Sequence, residues 1–115
     1  MKKNVQFRLR VKRGDIIAVG PGKVALLEAI GECGSISAAA RALGMSYRRA
    51  WMLVDELNRA MREPAVGASV GGTRGGGAVL TTQGEKMIAL YRAIEQQAQS
   101  AAARDIAKLN RLLKD

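Results

Sequence analysis

Residues Gly34 to Asn58, GSISAAARALGMSYRRAWMLVDELN, narrow the possible folds more than any other stretch of this 115-residue chain. Ala38, Ala39, Ala40 and Ala42 are strong helix formers with little bulk, and either Ser35 or Ser37 is placed to cap their helix by accepting from its free backbone N–H groups. Gly44 supplies the positive φ that ends this helix after Leu43. Ser46 can then cap a second helix, in which Ala50, Leu53, Val54, Leu57 and Met61 recur at helical spacing. Side chains as small as alanine let helices approach closely. The segment therefore predicts two short helices crossing at a tight glycine turn.

Tyr47, Arg48 and Arg49 fall in the first turn of the second helix, facing outward. In a helix-turn-helix the N-terminal residues of the second helix meet base edges, and arginine pairs with guanine or with phosphate. Ser37, Ser46, Tyr47, Arg48, Arg49 and Met52 are the candidate contacts on this pair of helices. Helical geometry sets Arg48 and Met52 on one side and Tyr47 and Trp51 on another, so the roll of the helix decides which of them reach bases. Trp51 adjoins the Ala50 and Val54 line, and its large apolar area favours packing in the core slightly over facing DNA, two roles the sequence leaves open. The formal charge of +9 and a pI near 10.5 favour a polyanionic partner, although charge alone does not choose among DNA, RNA and a membrane surface. The excess is uneven. Up to Lys23 there are seven basic residues against Asp15 alone, while the stretch after Thr81 carries six basic and four acidic residues.

Around this segment the chain divides by its periodicities. Val5, Phe7, Leu9 and Val11 alternate with Gln6, Arg8 and Arg10 as in a strand with one buried face, and Ile16 to Val19 can return across a Gly14 turn to complete an N-terminal hairpin. A helix is expected from about Lys23 to Cys33, stopped by Gly34. Beyond Pro64, Val66 to Val70 and Ala78 to Thr81 read as two short strands around the loop Gly71 to Gly77, a wing whose one long side chain is Arg74. An arginine on such a tip can enter a minor groove or lie along a phosphate strand. From Thr82 the chain is expected to be helical to its end, with Thr81 or Thr82 as cap. Roughly 30 helical residues would extend ~45 Å, longer than a small domain can cover. Met87, Tyr91, Ile94 and Ala98, then after a shift of phase Ala102, Ile106, Leu109 and Leu113, form a stripe expected to pair two copies of the chain.

Other chemistries find little support in these residues. The chain has no His to act as a general base or metal ligand, its carboxylates are scattered among basic residues, and no catalytic, metal or cofactor site is expected. GPGK is not a phosphate-cradling loop, because Ile17 stands where an earlier glycine should be and Val24 replaces the hydroxyl residue after the lysine. Cys33 is expected to be a small buried thiol without chemistry. No apolar run approaches the ~18 residues that a membrane span requires, and MKKNVQFRLR lacks the apolar stretch of a secretory signal. The default expectation is a cytoplasmic protein with no membrane partner.

The segments GPGKVALLEAI, GSISAAARALGMSYRRAWMLVDELN and GGTRGGGAVLTTQG, with the helix after them, resemble the N-terminal DNA-binding domain of LysR-type regulators, and more closely that of the molybdate-responsive ModE family. SISAAARALGMS is shared with the wider LysR type. SYRRAW, LVDELN and the glycine wing point to the ModE branch. The resemblance implies a mainly α fold with small β elements: a winged helix-turn-helix with its N-terminal hairpin over residues 1–81, and a long dimerisation helix over 82–115. It implies a homodimeric transcription regulator that binds double-stranded operator DNA, commonly for genes of molybdenum metabolism. Family members of full length carry C-terminal molybdate-binding domains, and none is expected within these residues, which leaves a separate ligand-sensing regulator open as a partner. The contrasting expectation is an architectural protein that coats nucleic acid with little base preference.

Overall fold

The computed structural model describes residues 2–69 and 77–115. A short antiparallel hairpin, β1 (Val11–Arg13) and β2 (Ile16–Val19), turns at Gly14 with φ 64° and leads into α1 (Pro21–Cys33), α2 (Ile36–Ala42) and α3 (Tyr47–Ala60). A second hairpin, β3 (Val66–Ser69) and β4 (Gly77–Leu80), pairs Val66 with Leu80 and Ser69 with Gly77. Two further helices, α4 (Thr82–Ala101) and α5 (Ala103–Arg111), draw the molecule out to 54 × 31 × 24 Å. This is the winged helix-turn-helix expected from the sequence. Among the described residues no helix is long and apolar enough to cross a membrane.

The core lies where the three helices meet the wing. Leu26, Leu27 and Ile30 of α1, Ala39 and Ala40 of α2, and Ala50, Val54 and Leu57 of α3 close on one another and on Ala65, Val66 and Ala78. Each large side chain removed from water here is worth about 1.5–3 kcal/mol, and the alanines of α2 let α1 and α3 close over it. Pro21 opens α1 two residues before the expected start, since its fixed φ suits the first helical position and its missing N–H has no partner there in any case. Gly84 is needed for a different reason: a Cβ there would stand 2.3 Å from the carbonyl oxygen of Ala65, so α4 could not seat against the wing.

The N-terminal and C-terminal ends depart from expectation together. Residues 2–10 form no ladder, and strand pairing begins only at Val11. The apolar members Phe7 and Leu9 are half-buried and Arg8 and Arg10 exposed, but Val5 and Val11 are also exposed, so the alternation serves an extended arm laid on helices and not a strand. Tyr91 Oη donates to the Leu9 carbonyl at 2.8 Å, and Lys3 pairs with Asp115 at 3.5 Å. The expected single C-terminal helix is interrupted at Ala102, where φ −96° and ψ 3° end α4, and the break falls within the shift of phase between Ala98 and Ala102. Tyr91, which the stripe placed toward a partner chain, is only 3% exposed beneath its own arm, and Met87 packs against the core. Cys33 is exposed and not buried, because Gly34 ends α1 directly after it and leaves the last turn at the surface.

Candidate nucleic-acid interface

Local hydrogen bonding determines how α3 is presented. Ser35, and not Ser37, caps α2, its Oγ accepting from the Ala38 N–H at 3.0 Å. At the other end of α2 the Gly44 N–H donates to the Arg41 carbonyl and the Met45 N–H to that of Ala40, with Gly44 at φ 67°. This paired closure lets the chain reverse within three residues. Ser46 Oγ then accepts from the Arg49 N–H at 3.1 Å and starts α3. Replacing such a cap by alanine costs about 1 kcal/mol.

With Ala50, Val54 and Leu57 fixed in the core, the orientation of α3 on its own domain is set. Arg48 and Met52 form its crest, followed one turn further by Asp55 and Arg59, which pair at 3.0 Å. Tyr47 and Trp51 line a groove toward the wing that also includes Ser37, Asn58 and Val66. Arg49, Leu53 and Glu56 face the opposite side, where a cleft separates α3 from the N-terminal arm. No acidic residue occupies the first turn of α3. Trp51 is 48% exposed, which overturns the expectation that it packs in the core: Ala50 and Val54 already fill the inner line, and Trp51 projects beside Tyr47, itself 55% exposed. An aromatic pair next to arginines on one exposed surface can stack on or wedge against bases as well as carry charge to phosphates.

Two residues that position this surface were not singled out from the sequence. Asn58 Oδ1 accepts from the Ala65 and Val66 N–H groups at 2.8 and 3.3 Å while its Nδ2 donates to the Val66 carbonyl at 3.1 Å, tying the end of α3 to the start of the wing. Lys23 is only 6% exposed; its Nζ donates to the Ile17 carbonyl and pairs with Glu56 at 3.0 Å, joining β2, α1 and α3. Nothing in the sequence marks Asn58 as a brace, and Lys23 stands out there only within GPGK and as the expected start of the first helix. Away from this surface, Arg92 links α1 to α4 through Glu28 and continues to Glu95, and those two hydrogen-bonded carboxylates push its guanidinium above its ordinary pKa. Ser37 is exposed and its Oγ accepts from Arg41 at 3.5 Å, and Ser46 is committed to its cap. Arg74, the expected wing contact, lies outside the described residues.

Residues 22–85 match the family described as "Bacterial regulatory helix-turn-helix protein, lysR family". Molybdenum-pterin-binding protein MopB of Rhodobacter capsulatus is 57% identical over 77 residues, 67% of this chain and 28% of its own length. Molybdenum transport protein ModE of Azotobacter vinelandii is 42% identical over 93 residues, 81% of this chain and 34% of its own. The chain thus spans about a third of the length of these relatives or less. Among solved structures, the DNA-binding domain of CbnR in its DNA complex superposes with a TM-score of 0.59 at 22% identity, covering 76% of this chain and 95% of that one, a likeness of fold.

Proposed function

Because the chain belongs to the lysR family of bacterial regulatory helix-turn-helix proteins, we propose that it binds operator DNA as a homodimer and regulates transcription, with α3 as its reading helix. The observation that carries this is the Ser46-capped first turn of α3, which holds Tyr47, Arg48 and Arg49 in solvent while Ala50, Val54 and Leu57 anchor the opposite side. Arg48 and Met52 on the crest enter the major groove, and Tyr47 and Trp51 meet bases or sugars on the wing side. Arg74 holds the flanking backbone or minor groove. Two copies pair through α4, α5 and the residues just after it, where Ile94, Leu109 and Leu113 of the expected stripe remain exposed together with Leu90 and Leu112. Reading helices docked on one face of a duplex place their half-sites a whole number of turns apart, about 34 Å per turn. The reading extends to a role in molybdenum metabolism, which the names of the relatives support.

Competition gel shifts test the reading. The wild-type chain is expected to prefer its operator over random duplex by ~10³ or more at fixed salt, whereas a coating protein would show a ratio near unity. A double Arg48→Ala, Arg49→Ala variant is expected to lose most of that preference through Arg48, since a base-reading arginine contributes about 1–3 kcal/mol of discrimination, and to bind all duplexes more weakly through Arg49. An unchanged preference in that variant would remove α3 as the reader.

A further inference from the structure

The cleft on the far side of α3 from the wing has a volume of about 480 Å³ and brings together residues from three separate parts of the chain: Arg8 and Arg10 of the arm, Asp15 of the first hairpin, and Arg49 of α3. Lys23 and Glu56 also line it but neutralise each other at 3.0 Å. That leaves three guanidinium groups against the single carboxylate of Asp15. Among the described residues, the side chains of Arg8, Arg10 and Arg49 form no hydrogen bond or salt bridge with another residue. Three unpaired arginines converging on one cleft repel one another and gain from an anion placed between them.

The arm is built to keep two of them there. Phe7 and Leu9 are half-buried against the body, where the Leu9 carbonyl accepts from Tyr91 and Lys3 reaches Asp115, while the exposed Arg8 and Arg10 line the cleft, Arg8 also bordering a neighbouring hollow with Arg92 and Glu95. Arg49 belongs to the same helical turn as Arg48, so the cleft borders the surface proposed to enter the major groove. With α3 in the major groove, the anion this cleft would meet is a phosphodiester of the strand flanking the groove. Guanidinium suits it because its planar set of donors matches two phosphate oxygens at once.

We propose that Arg8, Arg10 and Arg49 clamp a backbone phosphate beside the major groove, making the N-terminal arm a third DNA-contacting element alongside the reading helix and the wing. The inference rests on the DNA-binding reading but concerns affinity and not sequence choice, so the two can fail separately. Removing a phosphate-binding side chain weakens all duplexes alike, and the slope of log affinity against log salt falls by about 0.9 for each phosphate left unneutralised.

The experiment measures binding of the full chain to operator and to random duplex over a series of salt concentrations, for wild type, Arg8→Gln with Arg10→Gln, and Arg8→Lys with Arg10→Lys. The glutamine variant is expected to weaken both duplexes by the same factor, on the order of 10-fold near 0.1 M salt, with a slope shallower by about 1–2 and an unchanged melting temperature. The lysine variant is expected to recover the slope. If operator preference exists in the wild type but affinity and slope do not change in the glutamine variant, the clamp is overturned and the regulator reading stands. If the wild type shows no preference for any duplex but the glutamine variant still binds with a shallower slope, the clamp stands and the regulator reading falls. Inorganic phosphate titrated into the protein is expected to give no saturable binding at millimolar concentration. Saturation at one site per chain, abolished in the glutamine variant, would assign the cleft to a free oxyanion and overturn the DNA clamp.

Discussion

Along α3 the exposed Tyr47, Trp51 and Met52 alternate with Arg48 and Arg49, while along α4 and α5 the exposed Leu90, Ile94, Leu109, Leu112 and Leu113 sit among charges of both signs, with Arg92 already paired to Glu28 and Glu95. Both surfaces leave large apolar side chains in water, and what surrounds those side chains separates their roles. Amphipathic rings interleaved with unpaired guanidiniums fit a partner with stacked faces and a charged backbone. Aliphatic side chains with locally balanced charge gain only from another apolar surface, such as a second copy of the same helices. The difference also bears on stability. α3 is anchored from below by Ala50 and Leu57 at 0% and 1% exposure, whereas α5 buries no residue at all in the single chain.

The largest expected effect lies on the aliphatic surface. Leu90→Glu with Ile94→Glu places two like charges on each facing helix of a dimer while leaving the monomer core untouched. Sedimentation is expected to show a dimer for wild type and a monomer for the variant. Losing the second reader should lower operator affinity 10²- to 10⁴-fold, about 3–5.5 kcal/mol, through loss of effective concentration. A variant that sediments as wild type does would show that this face of α4 is not the contact between copies.

A pair of equal truncations probes the contrast in anchoring. Leu57→Ala opens a cavity under α3 and is expected to destabilise the chain by about 2–5 kcal/mol in urea unfolding. Leu112→Ala removes the same atoms from a side chain that is 82% exposed and is expected to change stability by less than about 0.5 kcal/mol. Similar losses at the two positions would mean that the chain just past α5 is buried in solution, and measuring both across protein concentrations would reveal whether a second copy covers Leu112.

The region around α3 was legible in the sequence because its determinants are local: Ser46 caps at a fixed spacing, Gly44 supplies one unusual φ, and the apolar positions 50, 54 and 57 keep a single phase. The departures lie where the deciding contact is distant or outside the chain. An alternation from Val5 to Val11 has the same period whether its apolar members face a sheet or the flank of two helices, and only the Tyr91 to Leu9 hydrogen bond distinguishes them. Trp51 defeated an argument from area, because burial is favourable against any apolar partner and Ala50 and Val54 already occupy the inner line. The break at Ala102 involves neither Pro nor Gly, so its one trace in the sequence was the slip in phase of the apolar stripe. Asn58 looks like a solvated helix residue until Ala65 and Val66 are brought beside it. Sequence order carries no mark of such long-range pairing.

Tyr91 stands at the junction of the two regions, holding the arm that carries Arg8 and Arg10 against the helix that carries Ile94. Tyr91→Phe keeps the ring and removes only the hydroxyl that donates to Leu9, so the expected loss is about 1 kcal/mol at neutral pH, below that of either the dimer-face variant or Leu57→Ala. A pH series identifies it. Burial, reinforced by the nearby Glu95 carboxylate, pushes the Tyr91 phenol above its ordinary value of 10.0, so the folded chain favours the protonated phenol more than the unfolded chain does. The corresponding stability is fully present below pH 10 and declines as pH rises through the folded value. The difference in unfolding free energy between wild type and Tyr91→Phe should therefore be constant from neutrality to about pH 10 and shrink above it, while the other titrating groups cancel in the subtraction. A constant difference through the alkaline range would mean that the phenol is solvated in the free protein and the arm is not seated, and the slope of DNA affinity against salt would then be the same for both chains.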